Sequence, residues 1–187
     1  MKSQHIAIAG ILLASGAIVR YLSLVIPGPI VSNLVIAFYC LAIILIVPTL
    51  GEALGIGVVA GIICALISHS VFPPANLISE PIGALVCIGT YLALRGRIAA
   101  APGLTTFVAT AASGTTFILV AIIGIAPVIL TKYASIGAFA AATVPIVIGT
   151  AVVNAVIAQI LYMPAHRALS RGTGAPVARS MAAGNQE

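Results

Sequence analysis

His69-Ser-Val-Phe-Pro-Pro-Ala-Asn-Leu-Ile-Ser-Glu-Pro81 is a short polar break between two long apolar runs, and its reading decides the fold. It carries Glu80, one of only three acidic residues among 187. An α-helix needs about 20 apolar residues to cross a bilayer, and runs of that length recur on both sides of the break, from the first residues to about Tyr162. With 61% hydrophobic and 6% charged residues, against roughly 25% charged in a soluble domain, the chain reads as an all-α integral membrane protein. Strands are excluded because an unclosed strand leaves backbone groups unsatisfied in lipid.

Proline and glycine punctuate the apolar runs, at Pro27-Gly-Pro29, Pro48-Thr-Leu-Gly-Glu52, Phe72-Pro-Pro-Ala-Asn76, Arg95-Gly-Arg97 and the segment around Lys132. They delimit six expected transmembrane helices, at about 5–26, 31–48, 53–71, 76–94, 103–130 and 136–162. Residues 1–166 are expected to form one six-helix transmembrane domain, and 167–187, rich in Gly, Ala, Arg and Pro, a basic disordered cytoplasmic tail. The first run leads straight into the second without a cleavage-type region, so it is expected to be a retained span and not a signal peptide. No internal repeat is evident.

Charge distribution sets the orientation. With both termini inside, Lys2, Arg95, Arg97, Arg167, Arg171 and Arg179 fall on the cytoplasmic side, against Lys132 alone in an outer loop. That is the bias expected of a multi-pass cell-membrane protein. The formal charge of +5 therefore reflects retained inner cations and does not suggest nucleic acid. Tyr21, Tyr91, Tyr133 and Tyr162 lie near expected span ends, as amphipathic rings do.

No chemistry motif appears: no P-loop, no HExxH, no nucleophile elbow and no paired catalytic carboxylates. The chain reads as a transport protein and not an enzyme, with no catalytic residues, metal ligands or cofactor expected. Cys40, Cys64 and Cys87 each sit inside an apolar run without CxxC spacing and read as packing residues.

The topology brings Arg20, Asn33, His69, Asn76, Glu80 and Lys132 to the outer third of the bundle. Such a cluster could pair internally. It could also offer a small solute a cation at Arg20 or Lys132 and an anion at Glu80, which suits a zwitterion. Each member also has an ordinary role. Asn76 and Glu80 could cap helix four, Arg20 could snorkel to the interface, His69 could hydrogen-bond there, and Lys132 could be a solvated loop charge. Helix five carries Thr106, Thr110, Ser113 and Thr116. These hydroxyls either bond their own i−4 carbonyls or, with Phe117, line a cavity. Asn154 and Gln159 in helix six are expected interhelical partners. In helix one, Ala7, Gly10, Ala14 and Ala17 form a small-residue stripe that permits close approach of another helix, from the same chain or a partner.

Six helices in so short a chain, and a first helix reading Ile6-Ala-Ile-Ala-Gly-Ile-Leu-Leu-Ala-Ser-Gly-Ala-Ile-Val-Arg20, resemble the substrate-binding S components of energy-coupling factor (ECF) transporters. Within that family the chain is most similar to the tryptophan transporters. Phe72-Pro-Pro-Ala-Asn-Leu-Ile-Ser-Glu80 looks like their helix-four entry, Ser113-Gly-Thr-Thr-Phe117 like their Ser-Gly-Thr-x-Phe, and Asn154 like their late asparagine. Pro81 stands where a lysine usually follows the acid.

The resemblance implies a compact S-component bundle that binds its solute from outside, with Phe72, Asn76, Glu80, Ser113, Thr116, Phe117 and Asn154 among the contacts. It also implies that the helix-one stripe, at Gly10 and Ala14 above all, meets a membrane T subunit, through which two cytoplasmic ATPases power the cycle. The expected cargo is tryptophan. The alternatives are a vitamin or vitamin precursor carried by an S component, a solitary secondary transporter or channel, and a non-transport assembly subunit.

Overall fold

The all-helical expectation holds. The computed structural model describes residues 2–23, 32–68 and 70–172, with no strand among them. Six α-helices follow in order: α1 (Ser3–Ser23), α2 (Val35–Ile46), α3 (Leu50–Leu66), α4 (Asn76–Leu94), α5 (Ala101–Lys132) and α6 (Ile136–Gly172), with a single 3-10 turn (Pro73–Ala75) leading into α4. By length and composition α1, α4, α5 and α6 suffice to cross a membrane, while α2 and α3 are shorter apolar helices. At 12 residues, α2 is about 18 Å long against a hydrocarbon core of about 30 Å.

Local chemistry explains the helix ends. At Val47 the backbone turns left-handed (φ 48°, ψ 62°) and its N–H returns to the Ile43 carbonyl at 2.8 Å, a C-terminal stop that Pro48 then enforces. Thr49 opens α3 with a capping box: its N–H donates to Glu52 Oε2 at 2.9 Å, and Glu52 N–H donates back to its hydroxyl at 3.4 Å. Glu52 is thus a helix cap. Within α5, Ile125 leaves helical geometry (φ −138°, ψ 31°) two residues before Pro127, which has no N–H to donate and crowds the preceding turn. The last helix continues to Gly172, past the expected end at 162 and into the stretch read as tail. Residues 173–187, His69 and the Pro27-Gly-Pro29 break lie outside the described residues.

The bundle is built around α2, which touches all five other helices and buries nine of its twelve residues. A helix apolar on every side has no face to give to water and takes the centre. Around it α3 packs on α4, α4 on α5 and α5 on α6, while α1 rests mainly on α2. One apolar cluster gathers about α2 and includes Val35, Tyr39, Ile43 and Ala84. A second joins the 3-10 turn to α5 and α6 through Ala75, Phe117, Ile129 and Phe139. The outer surface is apolar too: Leu66 is 81% and Ile123 84% exposed, which lipid tolerates and water does not. The chain is a membrane-embedded helical bundle.

In lipid, apolar side chains gain nothing by leaving the solvent, so helices associate through close packing. The α3–α4 contact shows this at Gly57, where a Cβ would stand 2.7 Å from Pro81 Cα and 2.8 Å from Ala84 Cβ. Gly55, by contrast, has nothing within 4 Å. Gly57→Ala is therefore expected to lose about 1–3 kcal/mol through overpacking, and Gly55→Ala close to nothing. Thermal unfolding of the two variants in detergent checks the difference.

Candidate functional site

Glu80 is the fifth residue of α4 and only 1% exposed. Its position and burial correct the capping role: α4 has no acidic residue in its first turn, and the side chain points into the bundle. A carboxylate buried among apolar helices loses its hydration, and only protein donors can replace it. Neighbouring residues supply them. Asn33, just ahead of α2, donates its Nδ2 to Glu80 Oε1 at 2.5 Å. From inside α2, Tyr39 donates its hydroxyl to Oε2 at 3.1 Å. Ser113, on α5, lines the cavity beside the same carboxylate. Gly83, one helical turn beyond Glu80, makes room for this arrangement, since a Cβ there would stand 2.5 Å from the Tyr39 hydroxyl oxygen.

The donors are themselves braced. Asn154 on α6 gives one amide hydrogen to the Asn33 carbonyl at 2.9 Å and the other to Thr110 Oγ1 at 3.2 Å. The Cys64 thiol donates to Asn33 Oδ1 at 3.4 Å. Through Asn33 the network therefore ties α3, α4 and α6 to the start of α2. Asn154 Oδ1 is buried and finds no hydrogen-bond partner among the described residues.

Arg20 turns inward and does not snorkel. It is 2% exposed, and its Nε donates to the Ile67 carbonyl at 2.8 Å and Nη2 to the Cys64 carbonyl at 3.4 Å. Both acceptors belong to the C-terminal end of α3, where carbonyls lack intrahelical partners and the helix dipole favours a cation.

Arg20, Asn33, Asn76, Glu80 and Ser113 line one cavity of about 40 Å³, closed on its apolar side by residues of α5 and α6 such as Phe117 and Val147. It sits between the two apolar clusters and has walls from α1, α2, α4, α5 and α6. Water needs about 10–15 Å³ on this measure, and an engineered cavity of about 150 Å³ takes benzene. As it stands the cavity has room for a few small atoms and none for an indole ring. No group of three or more His, Cys, Asp or Glu side chains that could hold a metal occurs among the described residues.

Six of the expected contacts meet there: Arg20, Asn33, Asn76, Glu80, Ser113 and Phe117. The Asn76 amide donates to the Pro73 carbonyl at 2.7 Å, so it ties down the 3-10 turn and does not cap α4. Asn154 stands behind the wall and braces it. Three expected contacts do not line this cavity. Thr116 donates to its own Ala112 carbonyl at 2.8 Å, the self-satisfied arrangement that also holds for Thr106 and Thr110. Phe72 packs into the outer apolar cluster, and Lys132 is exposed at the end of α5. His69 is outside the described residues. Gln159 is the expected interhelical partner, accepting from Gly103 N–H at 2.9 Å at the start of α5.

Tyr39 was missing from the expected site, although the signal was present. It is the one tyrosine far from any span end, and a phenol inside an apolar run needs a partner for its hydroxyl. Ile146 and Val147 give no comparable signal, since apolar wall residues in an apolar helix look like any others.

Tyr39→Phe removes one donor to Glu80, and Glu80→Ala leaves Asn33 and Tyr39 without their acceptor. Each is expected to cost about 0.5–2 kcal/mol. The double variant should lose less than the sum, because both changes delete one shared interaction, and a double-mutant cycle on thermal unfolding in detergent measures it. No family model, curated protein or solved structure matches this chain.

Proposed function

We propose that this protein captures a small zwitterionic solute in the Glu80 cavity and serves as the substrate-binding subunit of an ECF-type importer. The observation that carries the reading is a carboxylate and a guanidinium buried at one cavity inside an otherwise apolar bundle. Evolution rarely retains such charges in lipid without a function, and the pair offers one partner for an ammonium and one for a carboxylate.

Three further features support it. The α1 stripe faces away from the bundle: Ala7, Gly10 and Ala14 are exposed, Ala17 is half-buried, and a Cβ at Gly10 would meet nothing within 4 Å. Its close-approach surface is thus open to a second protein, and a T subunit that brings two cytoplasmic ATPases fits the resemblance of the sequence. The sequence carries no ATP-binding motif of its own. The inner bias of Lys and Arg favours cytoplasmic termini in the cell membrane, with solute entering from outside.

The resemblance points to tryptophan as the cargo and, failing that, a vitamin or its precursor. The cavity volume favours a solute smaller than either in this conformation, and tryptophan would require the walls to part. A solitary ion-coupled transporter is the second reading, favoured by the same buried carboxylate, which could carry a proton or cation across.

Co-purification with a T subunit and its ATPase pair is the expected result, and Gly10→Leu on the open stripe should abolish it. In calorimetry, glycine or alanine should bind, and Glu80→Gln should weaken that binding by about tenfold or more, the loss of one charge-assisted contact. Because the chain contains no Trp, indole emission in a tryptophan titration comes from the ligand alone. Uptake into liposomes driven by an ion gradient without ATPases would favour the second reading instead.

A further inference from the structure

We infer that Val147, seated in the notch left by Gly114, sets the upper size limit of the solute, so that the cavity takes a short-chain zwitterion and excludes an aromatic ring. This rests on the reading of the cavity as a solute site, and it deepens that reading by assigning the size limit to one side chain.

Gly114 on α5 and Val147 on α6 face each other across the apolar end of the cavity, and both line it. A Cβ on Gly114 would stand 2.5 Å from one Val147 γ-carbon and 2.8 Å from the other. The isopropyl group therefore occupies the space that any larger residue at 114 would take, and α5 and α6 are already as close there as the side chain allows. A β-branched residue in a helix holds essentially one χ1 rotamer, so Val147 cannot swing aside as a leucine or methionine would. Its neighbours limit it further: Phe117, 6% exposed, belongs to the outer apolar cluster, and Val147 packs against that same cluster. The polar end is fixed by the Asn33 and Tyr39 bonds to Glu80. Between a polar end that cannot retreat and an apolar end set by one rigid side chain, the free volume is about 40 Å³. Trimming Val147 to alanine adds the space of two methyl groups to that volume without touching a polar contact.

The size limit can be read without a ligand. Ser113 lines the same cavity, so a Ser113→Cys thiol reports which reagents enter. Methyl and n-butyl methanethiosulfonate, both lipid-permeant, are applied to the full chain in liposomes, and the adduct at position 113 is followed by mass spectrometry. With Val147 present the methyl reagent should label and the butyl reagent should lag. In Val147→Ala the butyl rate should rise by about tenfold or more, the discrimination that a few methylenes confer in an apolar pocket. Val147→Thr, of nearly the same shape, should keep the original ratio and guards against a general loosening of the fold. Equal methyl and butyl rates with Val147 present, an unchanged ratio in Val147→Ala, or no labelling by either reagent would overturn the inference. A size cut-off at Val147 without T-subunit association would leave the inference standing and sink the importer reading. Association and solute binding with an unchanged ratio would do the reverse.

Discussion

The structure depends on keeping one carboxylate satisfied away from water. Glu80 lies in a bundle whose interior and exterior are both apolar, so every donor it needs has to come from elsewhere in the bundle. That requirement fixes where Asn33 must stand, why a tyrosine occupies the middle of an otherwise apolar α2, and why Gly83 has no side chain. It also accounts for Asn154, which holds Asn33 by its backbone and leaves the Asn33 side-chain amide aimed at Glu80. Apolar packing would accept many registers between such uniform helices, whereas a hydrogen-bonded network accepts few.

The all-helical membrane class was legible because composition and run length speak directly to the solvent a chain must face. Helix ends were less so. The second apolar run continues to Pro48, but Val47 has already turned left-handed, a backbone event that hydropathy does not register. Arg20, Asn33, Asn76, Glu80 and Ser113 could be grouped from sequence because a polar residue in an apolar run is conspicuous and topology gives its approximate depth. Depth alone does not say which way a side chain points. Lys132 shares the expected level of the cluster and faces outward, and Thr116 shares a helix face with Ser113 yet bonds its own preceding turn. The wall formed by Ile146 and Val147 had no signal at all, because shape is a property of packed pairs and not of residues.

The cavity has a corresponding division of labour. Its polar end is assembled from residues far apart in the chain, Asn33 and Glu80 among them, and is rigid because each group has several partners. Its apolar end is made by two adjacent helices in close contact at Gly114 and Val147. Chemical type is thus decided by long-range hydrogen bonds and dimensions by one local helix–helix contact, so the two can vary independently.

Arg20 gives this arrangement a mechanical consequence. Its backbone belongs to α1, the helix with the open small-residue face, while its guanidinium grips the end of α3 and borders the cavity. A partner seated on that face, as proposed, would be linked to the charged border of the cavity through the hydrogen-bonded Arg20 side chain. Thermodynamic linkage requires the traffic to run both ways by the same factor. On the proposed reading, a solute that engaged the guanidinium would alter how α1 receives its neighbour as much as the neighbour alters the hold on the solute. Loading and docking would then be two readings of a single coupling free energy, carried by one arginine.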